Sequence, residues 1–150
     1  MFAPGEQAIK GSNGNAPHRS FHILVAEDNA VNQMVILKLL AKLGHQGEIA
    51  PNGKKAVEAA RGGTYDAILM DCHMPEMDGF EATSEIRRSG NEIPIIALTA
   101  NAMKGDAEKC LASGMNAYMS KPVDLAKLAQ ELNRWTSRAQ VVEVNPPVNA

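Results

Sequence analysis

Ala67-Ile68-Leu69-Met70-Asp71-Cys72-His73-Met74-Pro75 joins four apolar residues directly to an acid. A strand with no polar alternation must be covered on both faces, and helices packed on both sides of a parallel sheet provide that cover. Two other runs have the same character, HILVA at His22–Ala26 and PIIAL at Pro94–Leu98. Five strands are therefore expected: Phe21–Ala26, Gln46–Ala50, Ala67–Met70, Ile93–Leu98 and Ala117–Met119.

Helical periods fill the intervals. Ile36, Leu39, Leu40 and Leu43 fall at i, i+3, i+4 and i+7, with Gly44 as a left-handed stop. Leu125, Leu128, Leu132 and Trp135 share one face behind an Asp124 N-cap, with Pro122 just upstream. Shorter helices fit Lys54–Arg61, Gly79–Arg88 capped by Asp78, and Lys104–Ser113 stopped by Gly114. Strands alternating with helices over short connections predict an α/β fold: a doubly wound, five-stranded parallel sheet of order 2-1-3-4-5.

The 150 residues suffice for one domain. Residues 1–20 are rich in Gly, Asn, Ser, Pro and Ala and read as a flexible leader or linker. Residues 137–150 read as a flexible tail, which leaves 21–136 as the folded unit. A net charge of −2 gives no reason to expect nucleic-acid binding, and no apolar run is long enough to span a bilayer. The two cysteines, Cys72 and Cys110, form neither a disulfide framework nor a zinc motif and suit a reduced, cytoplasmic protein. Nothing in the pattern specifies an oligomeric state.

In an open α/β sheet, sites gather at the carboxyl ends of the strands. Glu27 and Asp28 follow the first strand, Asp71 the third, Thr99 the fourth, and Ser120-Lys121-Pro122 the fifth. Three carboxylates crowded together repel by several kcal/mol, about 4 per pair at about 4 Å and an effective dielectric of about 20. A hard divalent cation with oxygen ligands relieves this, and Mg²⁺ suits it because it accepts few carboxylates and keeps places for water and phosphate oxygens. Carboxylates, an ammonium and a hydroxyl around one point are what phosphoryl transfer needs, since its transition state spreads charge over three oxygens. Asp71, at the end of the central strand, is the expected nucleophile.

Ile23-Leu24-Val25-Ala26-Glu27-Asp28-Asn29, Met70-Asp71-Cys72-His73-Met74-Pro75-Glu76-Met77-Asp78-Gly79, Leu98-Thr99-Ala100 and Lys121-Pro122 together resemble two-component receiver domains. The wording is most similar to receivers of hybrid histidine kinases and phosphorelays, and it covers the segment from about Phe21 to Arg134. The resemblance implies that Asp71 accepts a phosphoryl group from phosphohistidine, on a histidine kinase or a histidine phosphotransfer protein. It implies Mg²⁺ held by Glu27, Asp28, Asp71 and the Cys72 backbone carbonyl. Thr99 would be the switch hydroxyl, Tyr118 the switch aromatic and Lys121 the phosphoryl-pairing lysine, with a cis Lys121-Pro122 peptide. His73 and Asn101 resemble the variable sites that tune dephosphorylation. Such a domain would not be an enzyme acting on others but a switch that catalyses its own phosphorylation and dephosphorylation.

Two other functions fit the fold less well. A stand-alone phosphatase with an aspartyl-phosphate intermediate often has a second acid two residues after the nucleophile, where this chain has His73. A phosphorylation-independent adaptor would be signalled by loss of a site residue, and none is missing. The tails are too short for a DNA-binding or kinase segment, so the chain reads as a single-domain receiver or as a piece of a hybrid kinase. The low-complexity leader favours the piece.

Overall fold

The computed structural model describes residues 20–100 and 105–144. The elements alternate as expected: β1 His22–Ala26, α1 Ala30–Lys42, β2 Gln46–Ala50, α2 Gly53–Gly62, β3 Ala67–Asp71, α3 Gly79–Arg88, β4 Ile95–Thr99, α4 Ala107–Ser113, β5 Ala117–Ser120 and α5 Leu125–Val144. The five strands pair in parallel in the order β2-β1-β3-β4-β5.

Burial follows from the apolar runs. β3 and β4 are buried along their whole length, whereas β2, at one edge, is exposed from Gln46 to Glu48. Alternate residues feed two cores on opposite faces of the sheet. Leu24, Ile68, Met70, Ile95 and Ala97 join residues of α2 and α3 such as Ala56 and Ile86. Ile23, Val25, Leu69, Ile96 and Leu98 join Ile36 and Leu40 of α1 and Leu128 and Leu132 of α5.

The helix ends expected at Asp78, Asp124, Gly44 and Gly114 are in place, and Asn29 caps α1 as well. Asn29 accepts the Asn32 N–H at 3.0 Å, and Asp124 accepts that of Lys127 at 2.9 Å. Asp78 and Glu81 form a reciprocal capping box at the start of α3. Gly44 and Gly114 have positive φ, the conformation that ends α1 and α4.

Several boundaries differ. Asp71 and Thr99 are the last residues of their strands rather than the first residues beyond them, because the ladders β3·β4 and β4·β5 extend to include them. The backbone of α5 continues to Val144, past the boundary at 136 read from the sequence. The leader, apart from Ser20, and Asn101 lie outside the described residues, as does the tail beyond Val144.

Candidate functional site

The register of the sheet assembles the site. Ala26 pairs with Met70, so the next residues, Glu27 and Asp71, leave neighbouring strands side by side. Asp71 pairs with Leu98, and Thr99 with Ser120, which carries the edge onward to Lys121. Neighbouring strands are about 4.8 Å apart, so these side chains share a single sheet end.

Glu27, Asp28 and Asp71 each offer a carboxylate oxygen within 4.8 Å of the others. Glu27 and Asp71 are buried and Asp28 is exposed, so the cluster is open on one side. Lys121 Nζ stands 3.0 Å from Asp71 Oδ2 and 3.4 Å from Glu27 Oε1. Glu27 is fixed from behind: its Oε2 accepts the Asn29 N–H at 3.1 Å and the Asn32 amide at 3.3 Å, and its carbonyl accepts the Gln33 amide at 2.8 Å. Oε1 is buried and accepts no well-formed hydrogen bond, its contact with Lys121 being an ion pair at 3.4 Å.

Burial pushes the Glu27 carboxyl above its usual range, and the Asp71 charge adds to this against the lowering effects of Asn29, Lys121 and Asn32. For Lys121, burial alone would lower the pKa. The hydrogen bond to Asp71 and the charges of Asp71 and Glu27 outweigh that and raise it. One ammonium against three carboxylates leaves a deficit that a divalent cation matches, and Glu27 Oε1 is a buried acceptor left for such an ion. The donor set is all oxygen, which suits Mg²⁺.

The other expected residues are placed differently. Thr99 is buried, but its hydroxyl donates to Asp106 Oδ2 at 2.6 Å. Tyr118, on the edge strand β5, is 39% exposed and belongs to neither core. The Cys72 carbonyl accepts the Gly79 N–H at 2.9 Å and keeps a second lone pair. His73, the loop residue beyond Asp71, donates its backbone N–H to Asp71 Oδ1 at 3.3 Å. Its ring Nε2 lies 3.0 Å from Asp106 Oδ2. The Lys121-Pro122 peptide is cis, as expected.

Asp106 is the site residue that the sequence did not single out. An acid at the start of a helix reads as a cap, and only the folded structure brings it to Thr99.

Comparison with known proteins decides the family. The family model of the response regulator receiver domain matches residues 23–133. The chain belongs to that family. This receiver is similar to hybrid signal transduction histidine kinase B of Dictyostelium discoideum, 46% identical over 67% of the chain and 6% of the relative. It is likewise similar to two-component system protein A of Emericella nidulans, 49% identical over 76% of the chain and 17% of the relative. The chain thus spans a small fraction of the length of these curated relatives.

Among solved structures, the receiver of a sensor histidine kinase from Pseudomonas aeruginosa is 49% identical, with a TM-score of 0.75 over 79% of this chain and 99% of that one. It was crystallised with a magnesium ion coordinated in its active-site cleft. The receiver of a Saccharomyces cerevisiae response regulator, in complex with the histidine phosphotransfer protein Ypd1, is 31% identical with a TM-score of 0.75, over 81% of this chain and 92% of that one. The domain is therefore a receiver of the hybrid-kinase and phosphorelay type.

Proposed function

We propose that Asp71 takes the phosphoryl group. The Asp71 carboxylate attacks the phosphorus of a phosphohistidine. With the other ring nitrogen of the phosphohistidine protonated, an O–P bond forms as the N–P bond breaks, giving an acyl phosphate and a neutral imidazole. Lys121 neutralises one phosphoryl oxygen and the Thr99 hydroxyl donates to another. Glu27, Asp28 and Asp71 would hold Mg²⁺, which when bound neutralises the acids and the phosphoryl oxygens. The Cys72 carbonyl, which accepts the Gly79 N–H, keeps a second lone pair and would complete this ligand set. The same groups position water for hydrolysis of the acyl phosphate, so the domain catalyses its own phosphorylation and dephosphorylation.

The added charge, about −1.5 to −2 by analogy with other phosphoryl groups, draws Thr99 inward. Tyr118 then turns into the space vacated, and the face formed by α4, β5 and α5 changes for its partners.

The donor is a histidine kinase or a histidine phosphotransfer protein. It docks on α1, where Val31, Met34 and Val35 are 68%, 58% and 46% exposed. Beside them a mostly apolar cleft lined by Asn32, Val35, Ile36, Lys121, Pro122 and Val123 leads toward the acids. Val31, Met34 and Val35 are large apolar side chains without a core to fill, as an interface requires. Among the described residues no helix is long and apolar enough to cross a membrane. The buried free thiols of Cys72 and Cys110 suit a reducing cytoplasm.

The observation that carries this reading is the 3.0 Å contact of Lys121 with Asp71 inside a cluster of three acids. The test is transfer from a phosphorylated histidine phosphotransfer protein to wild type and to Asp71→Asn. Wild type takes label in the presence of Mg²⁺ and Asp71→Asn takes none. Undiminished labelling of the variant would refute the assignment.

A further inference from the structure

Thr99 ends β4, and Asp106 lies seven residues later, immediately before α4; both are buried. The 2.6 Å contact between Thr99 Oγ1 and Asp106 Oδ2 is in the range of charge-assisted O–H···O⁻ bonds. The same Oδ2 lies 3.0 Å from His73 Nε2. A carboxylate can only accept, so Nε2 carries a proton and donates. Bonds from Thr99 and His73 hold the Asp106 carboxyl below the usual range, which keeps it ionised at neutral pH.

The plainest role for an acid here is an N-cap, and the geometry excludes it. Asp106 has helical backbone angles, φ −62° and ψ −34°, and makes no side-chain cap hydrogen bond. Its carboxylate instead faces Thr99 and His73. His73 also reaches Asp71 through its backbone N–H. Named contacts thus run from the acceptor, through His73 and Asp106, to the switch hydroxyl.

A hydroxyl has one proton to donate. While it bonds Asp106, it cannot donate to a phosphoryl oxygen. We propose that Asp106 is a positioning residue that holds the Thr99 hydroxyl off the phosphoryl site, so that a phosphoryl group on Asp71 must compete with this carboxylate for it. The inference rests on Asp71 being the acceptor. Two acceptors for one donor make the Thr99 side chain a two-position element, and their relative strengths set its populations.

The test measures binding of Mg²⁺–beryllofluoride, a mimic of the acyl phosphate, to the full chain. Asp106→Ala removes the competing acceptor and binds about tenfold tighter than wild type, as expected for loss of one charge-assisted bond. Asp106→Asn, whose amide oxygen is a weaker acceptor, gives a smaller gain and stands in if the alanine variant does not fold. In a Thr99→Ala background there is no hydroxyl to hold, and Asp106→Ala changes nothing. An equal gain in both backgrounds, or none in either, overturns the proposal.

A second readout needs no phosphoryl chemistry. Three-bond NMR couplings to the Thr99 methyl report a single rotamer in wild type and averaged rotamers in Asp106→Ala or Asp106→Asn. An unchanged rotamer in the variants overturns the proposal. Wild type that neither binds beryllofluoride nor takes label refutes the phospho-acceptor reading, and the couplings still decide whether Asp106 holds Thr99.

Discussion

Glu27 has one carboxylate oxygen satisfied by Asn29 and Asn32 and another, Oε1, buried without a hydrogen bond. Its carboxyl is pushed above the ordinary value of 4.5, chiefly by burial and then by the Asp71 charge. An acid whose folded pKa is raised is protonated more readily in the native state than in the unfolded one. Stability therefore falls as pH rises from the unfolded value through the folded one. A divalent cation offsets that loss above the window and competes with the proton below it. At about ten times its Kd, Mg²⁺ should raise Tm by about 4 °C near pH 7.5 and by almost nothing near pH 4. Thermal unfolding with and without Mg²⁺ at the two pH values checks this, and equal shifts would remove Glu27 from the site. Glu27, Asp71 and Lys121 were legible because each lies at or next to a strand end in the chain. Asp106 was not, because it lies seven residues past Thr99 and nothing in the sequence joins the two side chains.

At the scale of elements, the start of α3 lies hard against the end of β3. A Cβ on Gly79 would sit 2.2 Å from the Asp71 carbonyl oxygen and 3.0 Å from Cys72 Cα, both backbone atoms that cannot swing aside. Gly79→Ala should therefore cost about 2–3 kcal/mol and weaken Mg²⁺ binding by displacing Asp71, in keeping with overpacking of a tight contact. Urea denaturation together with Mg²⁺ titration checks both effects, and a variant as stable as wild type would contradict the packing. Buried strands were legible as apolar runs, and the starts of α3 and α5 as capping acids. Strand ends were less so: Asp71 and Thr99 are polar and look like loop residues, yet the ladders include them. The extension of α5 was missed because residues 137–144 lack the apolar period that marks its earlier turns.

For the whole molecule, a single sheet end carries the proposed chemistry while separate surfaces are proposed for recognition. The α1 strip adjoins the acids and suits the donor, whereas Tyr118 lies on the opposite edge of the sheet, beyond β4. Val35→Asp should slow transfer from a histidine phosphotransfer protein about tenfold or more, yet leave uptake from acetyl phosphate unchanged, since it puts an unpaired carboxylate into an apolar contact. Comparing the two donors checks this, and equal slowing of both would place Val35 in the chemistry instead. The parallel fold and the composition of the site could be read from five short runs because an α/β sheet converts sequence order into spatial order. The state of the switch could not, because it depends on which of two acceptors holds one proton.

The most direct measurement is chemical mapping of the phosphorylated residue. The chain is incubated with acetyl phosphate and Mg²⁺, the acyl phosphate is reduced with borohydride, and peptides are analysed by mass spectrometry. The expected result is modification at Asp71 alone, lost when the cation is chelated. Modification at Asp28 or Glu27 in place of Asp71, or uptake indifferent to the chelator, would contradict the account.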